Sequence, residues 1–388
     1  MFRVLLGLLL IGSSTAAVLL PLRRVHVPAN RIRPAAGSSQ PLLDYDDLLY
    51  VAAVSLGTPA QDFQLVLDSS SADLWVVDAG CTEDQCRGFP ESGYSKHAYD
   101  RSQSSTFEED GRPFELAFGN GESCTGEWAV DRLSLGDFSA DNQTFGAATS
   151  IPAALGYEPI DGWLGLGLGS ASNATAPVRN LLAHFDQPLF TIWLDRHFDP
   201  VQGEAGGAIT FGGTDDANCD AGGHVDAADG RRLVALRAPK VSPAGPPPTR
   251  PPAGSSSTRS KQDEAADALL QTGVSFVGVP AGAFAFVVKK LSAQFDSTFQ
   301  LYTVECAAAP DVPKLLLTIA DTELFVEGPE WILDYGMEDG MCGLALFDLS
   351  TVQSAAQWVV GAPFARAYCG LYDVGGLQLG FARAKHPN

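Results

Sequence analysis

The stretch Phe63 to Val77, F-Q-L-V-L-D-S-S-S-A-D-L-W-V-V, constrains this chain more than any other. An apolar run stops on a carboxylate, three serines follow, and a second apolar run resumes at Leu74-Trp75-Val76-Val77. The pattern describes a buried strand that delivers Asp68 onto a tight polar loop before the next strand begins. A buried carboxylate with no partner is strongly disfavoured, so such an arrangement is kept for chemistry. It raises the question of which group faces Asp68.

The same texture extends through most of the chain. Leu48 to Val54 reads as a strand, and Gly57-Thr58-Pro59-Ala60-Gln61 as the turn joining it to the Asp68 strand in a hairpin. Phe114 to Phe118, Trp128 to Leu135 and Thr191 to Leu194 continue the series, while Val178 to Phe185 is the best short helix. Asp161-Gly162-Trp163-Leu164-Gly165 is an apolar run punctuated by glycines, which permit close backbone approach or a positive φ. Pro239 to Arg259 contains seven prolines and cannot sit in a sheet, so an extended, solvated insertion is expected there. Strand texture returns at Ala268 to Phe276, Leu315 to Ile319, Leu344 to Phe347 and Trp358 to Gly361, and Cys369 to Ala382 reads as a last hairpin. Each half holds an apolar strand ending in a polar loop and, about ninety residues on, an apolar-apolar-Gly triplet, a degenerate internal repeat. The fold class expected is mostly β.

A length of 388 residues with 45% hydrophobic content allows two lobes, each with a core. The net charge of −21 argues against nucleic acid as a partner. Residues 1–17 have one charge, a short apolar block and small residues, the pattern of a secretory signal. No later segment is long and apolar enough to span a bilayer. The leader that follows, 18–43, carries Arg23, Arg24, Arg31 and Arg33 and reads as a segment that docks electrostatically on the acidic body. Seven cysteines then point to disulfides rather than metal. Cys81 and Cys86 enclose a tight local loop, Cys306 and Cys342 are plausible partners, and Cys124, Cys219 and Cys369 remain, at least one of them unpaired or bonded elsewhere. The sequons at Asn142 and Asn173 fit a secreted or acidic lumenal protein.

Several ordered motifs together resemble the pepsin-like aspartic endopeptidases over nearly the whole chain after the leader. They are Leu49-Tyr50-Val51, Gly57-Thr58-Pro59-Ala60-Gln61-Asp62-Phe63, Leu67 to Val76, Asp161 to Leu166, Gln187-Pro188-Leu189-Phe190, Phe211-Gly212-Gly213 and the Val359 to Ala382 ending. The resemblance implies two β lobes, 44–187 and 188–388, the second with the Pro/Ser-rich insertion 239–262, around a peptide-binding cleft covered by a flap hairpin. It makes Leu20-Pro21-Leu22-Arg23-Arg24 similar to the start of the family's pro-segment. It also implies a monomer without cofactor or metal, whose partner is a peptide or protein ligand in the cleft rather than nucleic acid or membrane. Phe118, Gly119 and Trp75 fall on the flap and substrate side. Ser69, Ser71, Thr272 and Gly273 fall in the two supporting loops, with the Ser69 and Thr272 hydroxyls linking them.

The family's chemistry needs one carboxylate from each lobe, sharing a proton because two like charges about 3 Å apart cannot both ionise. Asp68 holds the first position, with Ser70 where the family has glycine. Gln271 holds the second, and a primary amide neither titrates nor shares a proton. Phe118 replaces the family's flap tyrosine, and Ala362 stands where an Asp is common. A lone aspartate near its ordinary pKa of about 3.9 is a poor general base. The sequence therefore points to a secreted pepsin-like homologue that binds extended peptide or protein with proteolysis lost or strongly impaired. The alternative is an acid endopeptidase working through Asp68 and an atypical partner. The six histidines form no H-E-x-x-H, and no G-x-S-x-G occurs.

Overall fold

The computed structural model describes residues 38–118, 121–168, 174–197, 200–220, 225–227, 268–312, 314–319, 322–337, 340–352, 354 and 356–386. The signal, the leader as far as residue 37, Gly119, Asn173 and the insertion 239–262 lie outside the described residues.

The molecule is mostly β and two-lobed. A thirteen-stranded sheet carries the N-terminal half and runs on through Leu189–Leu194 and Gln202–Phe211 to the final hairpin, Tyr368–Asp373 with Gln378–Arg383. Two four-stranded sheets and one two-stranded sheet build the C-terminal half. The apolar cores divide in the same way. One gathers side chains between Ala268 and Phe381, and two others gather those between Leu42 and Phe211, with Ala362 and Ala365 added. Alternation sets the division within a strand: in Leu74–Val77, Leu74 and Val76 face one core while Trp75 and Val77 face the other.

The expected first hairpin is present, Leu49–Leu56 pairing with Gln61–Asp68 from Val51↔Val66 to Leu56↔Gln61. So is the last one, with Tyr368↔Arg383 and Asp373↔Gln378 at its ends. The stretch 268–276 is not one strand: only Ala268–Leu270 is extended, and a turn leads to a separate strand, Val277–Val279. The short helix is Pro177–Leu182. A longer one, Ala281–Leu291, was not expected, although Phe284, Val287, Val288 and Leu291 recur at helical spacing and pack on the C-terminal core. Pro280 precedes its first turn, Lys289 and Lys290 lie in its last turn, where cations suit the helix dipole, and Ser292 closes it in the left-handed conformation at φ 54°.

Cys81–Cys86 and Cys306–Cys342 are disulfide-bonded as expected, and Cys219–Cys369 is a third bond, tying the final hairpin to residues 150 positions earlier. Cys124 is the free thiol, buried in the strand Ser123–Leu135. Asn142 is exposed.

Candidate active site

The internal repeat is visible as strand pairing. In the first half, Gln61–Asp68 runs parallel to Gly162–Gly165, with Asp68 opposite Gly165, and Leu74–Val77 lies antiparallel on the other side of that strand. In the second half, Ala268–Leu270 runs parallel to Trp358–Val360, and Val277–Val279 lies antiparallel on its other side. Extending that register by one residue sets Gln271 opposite Gly361, and the Gln271 N–H donates to the Val360 carbonyl at 3.0 Å. Asp68 and Gln271 therefore occupy the same place in two copies of one frame. The glycine of each triplet is required by close approach rather than by a positive φ. A Cβ on Gly165 would lie 2.6 Å from the backbone N and O of Asp73, and one on Gly361 would lie 2.2 Å from the Phe276 carbonyl.

The two loops are bound to each other reciprocally. The Ser69 N–H donates to Thr272 Oγ1 at 3.1 Å, and the Thr272 N–H donates to Ser69 Oγ at 3.2 Å. Each hydroxyl then donates across to the other strand, Ser69 Oγ to the Leu270 carbonyl at 3.0 Å and Thr272 Oγ1 to the Leu67 carbonyl at 2.7 Å. Gly273 packs against the acid, since a Cβ there would stand 3.2 Å from Asp68 Cβ. Ser69, Thr272 and Gly273 thus lie around Asp68.

Asp68 is 6% exposed. Its Oδ1 accepts from the Ser70 N–H at 2.8 Å and from Ser70 Oγ at 2.7 Å. Burial pushes its carboxyl above the usual aspartate value, against the lowering pull of the Ser70 and Ser71 hydroxyls and amides. Asp68 is accordingly not an aspartate of ordinary pKa. Ser70, noted in the sequence only as a departure from glycine, is a direct partner of the carboxylate. Gln271 is 1% exposed and brings no charge. Tyr372, which no motif singled out, stacks on Phe190 at 4.5 Å, and its buried hydroxyl is pushed up by burial and by the charge of Asp68, with Ser69 opposing. Its only signal in the sequence was a tyrosine in the last hairpin.

The flap is the hairpin of Glu108–Ala117 and Ser123–Leu135. Phe118 sits at its turn, where its N–H donates to the Glu122 carbonyl at 2.8 Å. The Phe118 ring lies 6.4 Å from Trp163, and Trp163 stacks on Trp75 at 5.1 Å. Ala362 is fully buried and donates its N–H to Val274.

A second cluster of titratable side chains lies where the two halves join. Asp44 Oδ2 is 2.8 Å from His197 Nδ1, and Asp44 Oδ1 accepts from the Asp47 N–H at 2.9 Å. The Asp47 carboxylate accepts from Tyr50 Oη at 2.9 Å. Arg366, fully buried, donates to the carbonyls of Asp47 and Glu330 and pairs with the Glu330 carboxylate at 3.4 Å.

Comparison with known proteins agrees with this frame. The family model described as eukaryotic aspartyl protease matches residues 49–384. The chain belongs to that family. It is 37% identical to Aspartic protease 1 of Caenorhabditis elegans over 351 residues, 89% of this chain and 85% of the relative. It is 27% identical to human gastricsin, over 88% of this chain and 82% of the relative, and 27% identical to bovine pepsin A, over 92% and 91%. Within this aspartyl protease scaffold, the frame that presents Asp68 is repeated around Gln271. The described residues include no helix long and apolar enough to cross a membrane. The three disulfides fit an oxidising compartment.

Proposed function

We propose that this aspartyl protease family member is secreted, or resident in an acidic lumen, and binds an extended peptide or protein in its cleft with proteolysis lost or strongly impaired. The observation that carries the reading is Gln271, which takes the position that strand pairing makes equivalent to Asp68. Hydrolysis by a carboxylate pair needs one group to take a proton from water and another to hold one toward the peptide carbonyl. Asp68 can do either, depending on pH. Gln271 has no proton to share, and its amide only donates or accepts hydrogen bonds. The loop-to-loop bonds of Ser69 and Thr272 and the packing of Gly273 on Asp68 are unaffected by the amide, so they support a cleft that is still formed.

The test is hydrolysis of an unfolded protein at acid pH by the purified chain, with and without a statine-type inhibitor. The expected result is no inhibitor-sensitive turnover by the wild type. Gln271→Asp should then raise turnover by about 10²- to 10⁴-fold, the range for restoring one member of an acid–base pair. Inhibitor-sensitive turnover by the wild type would overturn the reading in favour of an active endopeptidase using Asp68 with an atypical partner.

A further inference from the structure

Trp75 is 1% exposed, and its indole Nε1 has no hydrogen-bond partner among the described residues. A buried N–H with nothing to donate to is an unfavourable group to keep, and native proteins leave few of them. Its place in the fold supplies a reason. Trp75 faces the flap side of its sheet, in an apolar cluster with Phe114, Phe118 and Trp128 of the flap hairpin and with Trp163. Val66, in the same cluster, is 3.4 Å from where a Cβ on Gly273 would stand, so this wall reaches from the flap to the junction of the two loops. Phe118, 4% exposed, offers a ring with no acceptor atom and covers the cluster at the flap turn. Trp331 Nε1 is also buried without a partner among the described residues, but it lies in the C-terminal core cluster, which holds none of the flap side chains.

We propose that the Trp75 indole N–H is a specificity-determining donor for a hydrogen-bond acceptor, a carbonyl or hydroxyl, on the ligand in the cleft, with Phe118 as its removable cover. This rests on the cleft-binding reading above. An extended peptide presents such acceptors along its length, and one brought under the flap satisfies a donor that no described residue satisfies. Selectivity follows, because a ligand with only apolar atoms at that point leaves the indole unpaired.

The probe is a statine-containing peptide with apolar side chains, titrated calorimetrically and followed by ¹H–¹⁵N spectra of the indoles of the full folded protein. The Trp75 signal is assigned by its nuclear Overhauser contacts to the stacked Trp163 ring, with its loss in Trp75→Phe as a check. Binding should move that signal downfield and slow its exchange with solvent. Trp75→Phe, which keeps an aromatic ring and removes the donor, should bind about 3- to 10-fold more weakly, the worth of one neutral hydrogen bond. Phe118→Ala should speed exchange of the Trp75 indole in the unliganded protein by at least about tenfold, and this arm decides the cover even if Trp75→Phe does not fold. Binding within twofold of wild type by Trp75→Phe, with the wild-type indole unmoved, overturns the donor role and leaves the cleft reading standing. A folded wild type that takes up no peptide at millimolar concentration overturns the cleft reading, and the donor role falls with it.

Discussion

Raising the pH should loosen this protein through Asp44, and the size of the effect can be worked from its surroundings. Asp44 is fully buried at the end of the first described strand, facing His197 Nδ1 at 2.8 Å and the Asp47 amide at 2.9 Å. Burial first, and the neighbouring Asp47 carboxylate second, raise its carboxyl from 3.8 to about 7, with His197 and Arg366 opposing. An acid whose pKa is higher folded than unfolded binds its proton more tightly in the folded state. Its stabilisation is therefore complete below pH 3.8 and is lost as the pH rises to about 7. The difference of 7 − 3.8, a little over three units, corresponds to an upper bound of about 4 kcal/mol. The assay is urea unfolding at pH 4.0 and pH 7.5 for the wild type and Asp44→Asn, which keeps an acceptor for the Asp47 amide but does not titrate. The wild type should lose about 2–4 kcal/mol more than the variant between those two pH values. Glu158, raised by burial to about 7, changes stability in the same direction in both proteins and cancels in the comparison. Lys96, lowered by burial to about 8, acts only above that pH, where its deprotonation in the folded state favours folding. Parallel profiles, within about 0.5 kcal/mol of each other, would refute the reasoning.

Two further outcomes test the loops themselves. Thr272→Val removes the acceptor of the Ser69 N–H and the donor to the Leu67 carbonyl, and should cost about 2–4 kcal/mol in urea unfolding; a loss under about 1 kcal/mol would show that this contact does not hold the halves together. Carboxyl-detected NMR on Asp68 should give a single titration with its midpoint above 3.8, and two widely separated steps would reveal a second acid sharing its proton.

The parts of the fold that could be read in the sequence are those where period and punctuation agree. The Asp68 strand, its hairpin partner and the closing hairpin all alternate or run apolar between glycine-rich turns, and each forms with the expected pairing. The Ala281–Leu291 helix was legible but masked: Phe284, Val287, Val288 and Leu291 recur at helical spacing and pack on the C-terminal core. The alternating Ala and Phe at its start, with Phe286 54% exposed, imitate a strand and obscure that stripe. In the candidate site, the residues on the two polar loops could be read because the loops repeat. Ser70 and Tyr372 could not, since a hydroxyl bonded to Asp68 across two residues and a tyrosine arriving from the last hairpin leave no periodic trace. The Cys219–Cys369 bond was out of reach for a related reason, because a contact over 150 residues is decided by the tertiary frame.

The repeated frame also shows where the two halves have diverged, and this bears on how far one substitution can go. Asp68-Ser69-Ser70-Ser71 and Gln271-Thr272-Gly273-Val274 stand in equivalent positions. The second residue carries a hydroxyl in both, and in both it serves the bond between loops. The fourth differs. Ser71 lends a hydroxyl and an amide to the Asp68 carboxylate, whereas Val274 is buried apolar surface in the C-terminal core. A carboxylate placed at 271 would meet the frame built for it but not the hydroxyl that its counterpart has, and burial without that hydrogen bond favours the protonated form. In a pair that shares one proton, the protonated member is the one that faces the peptide carbonyl. The missing hydroxyl thus biases Gln271→Asp toward holding the proton and Asp68 toward releasing it, the division of roles that hydrolysis needs. The bonds between the loops serve the assembly of the two halves, and under the proposed reading the departure at 271 falls on a group that would share a proton with Asp68.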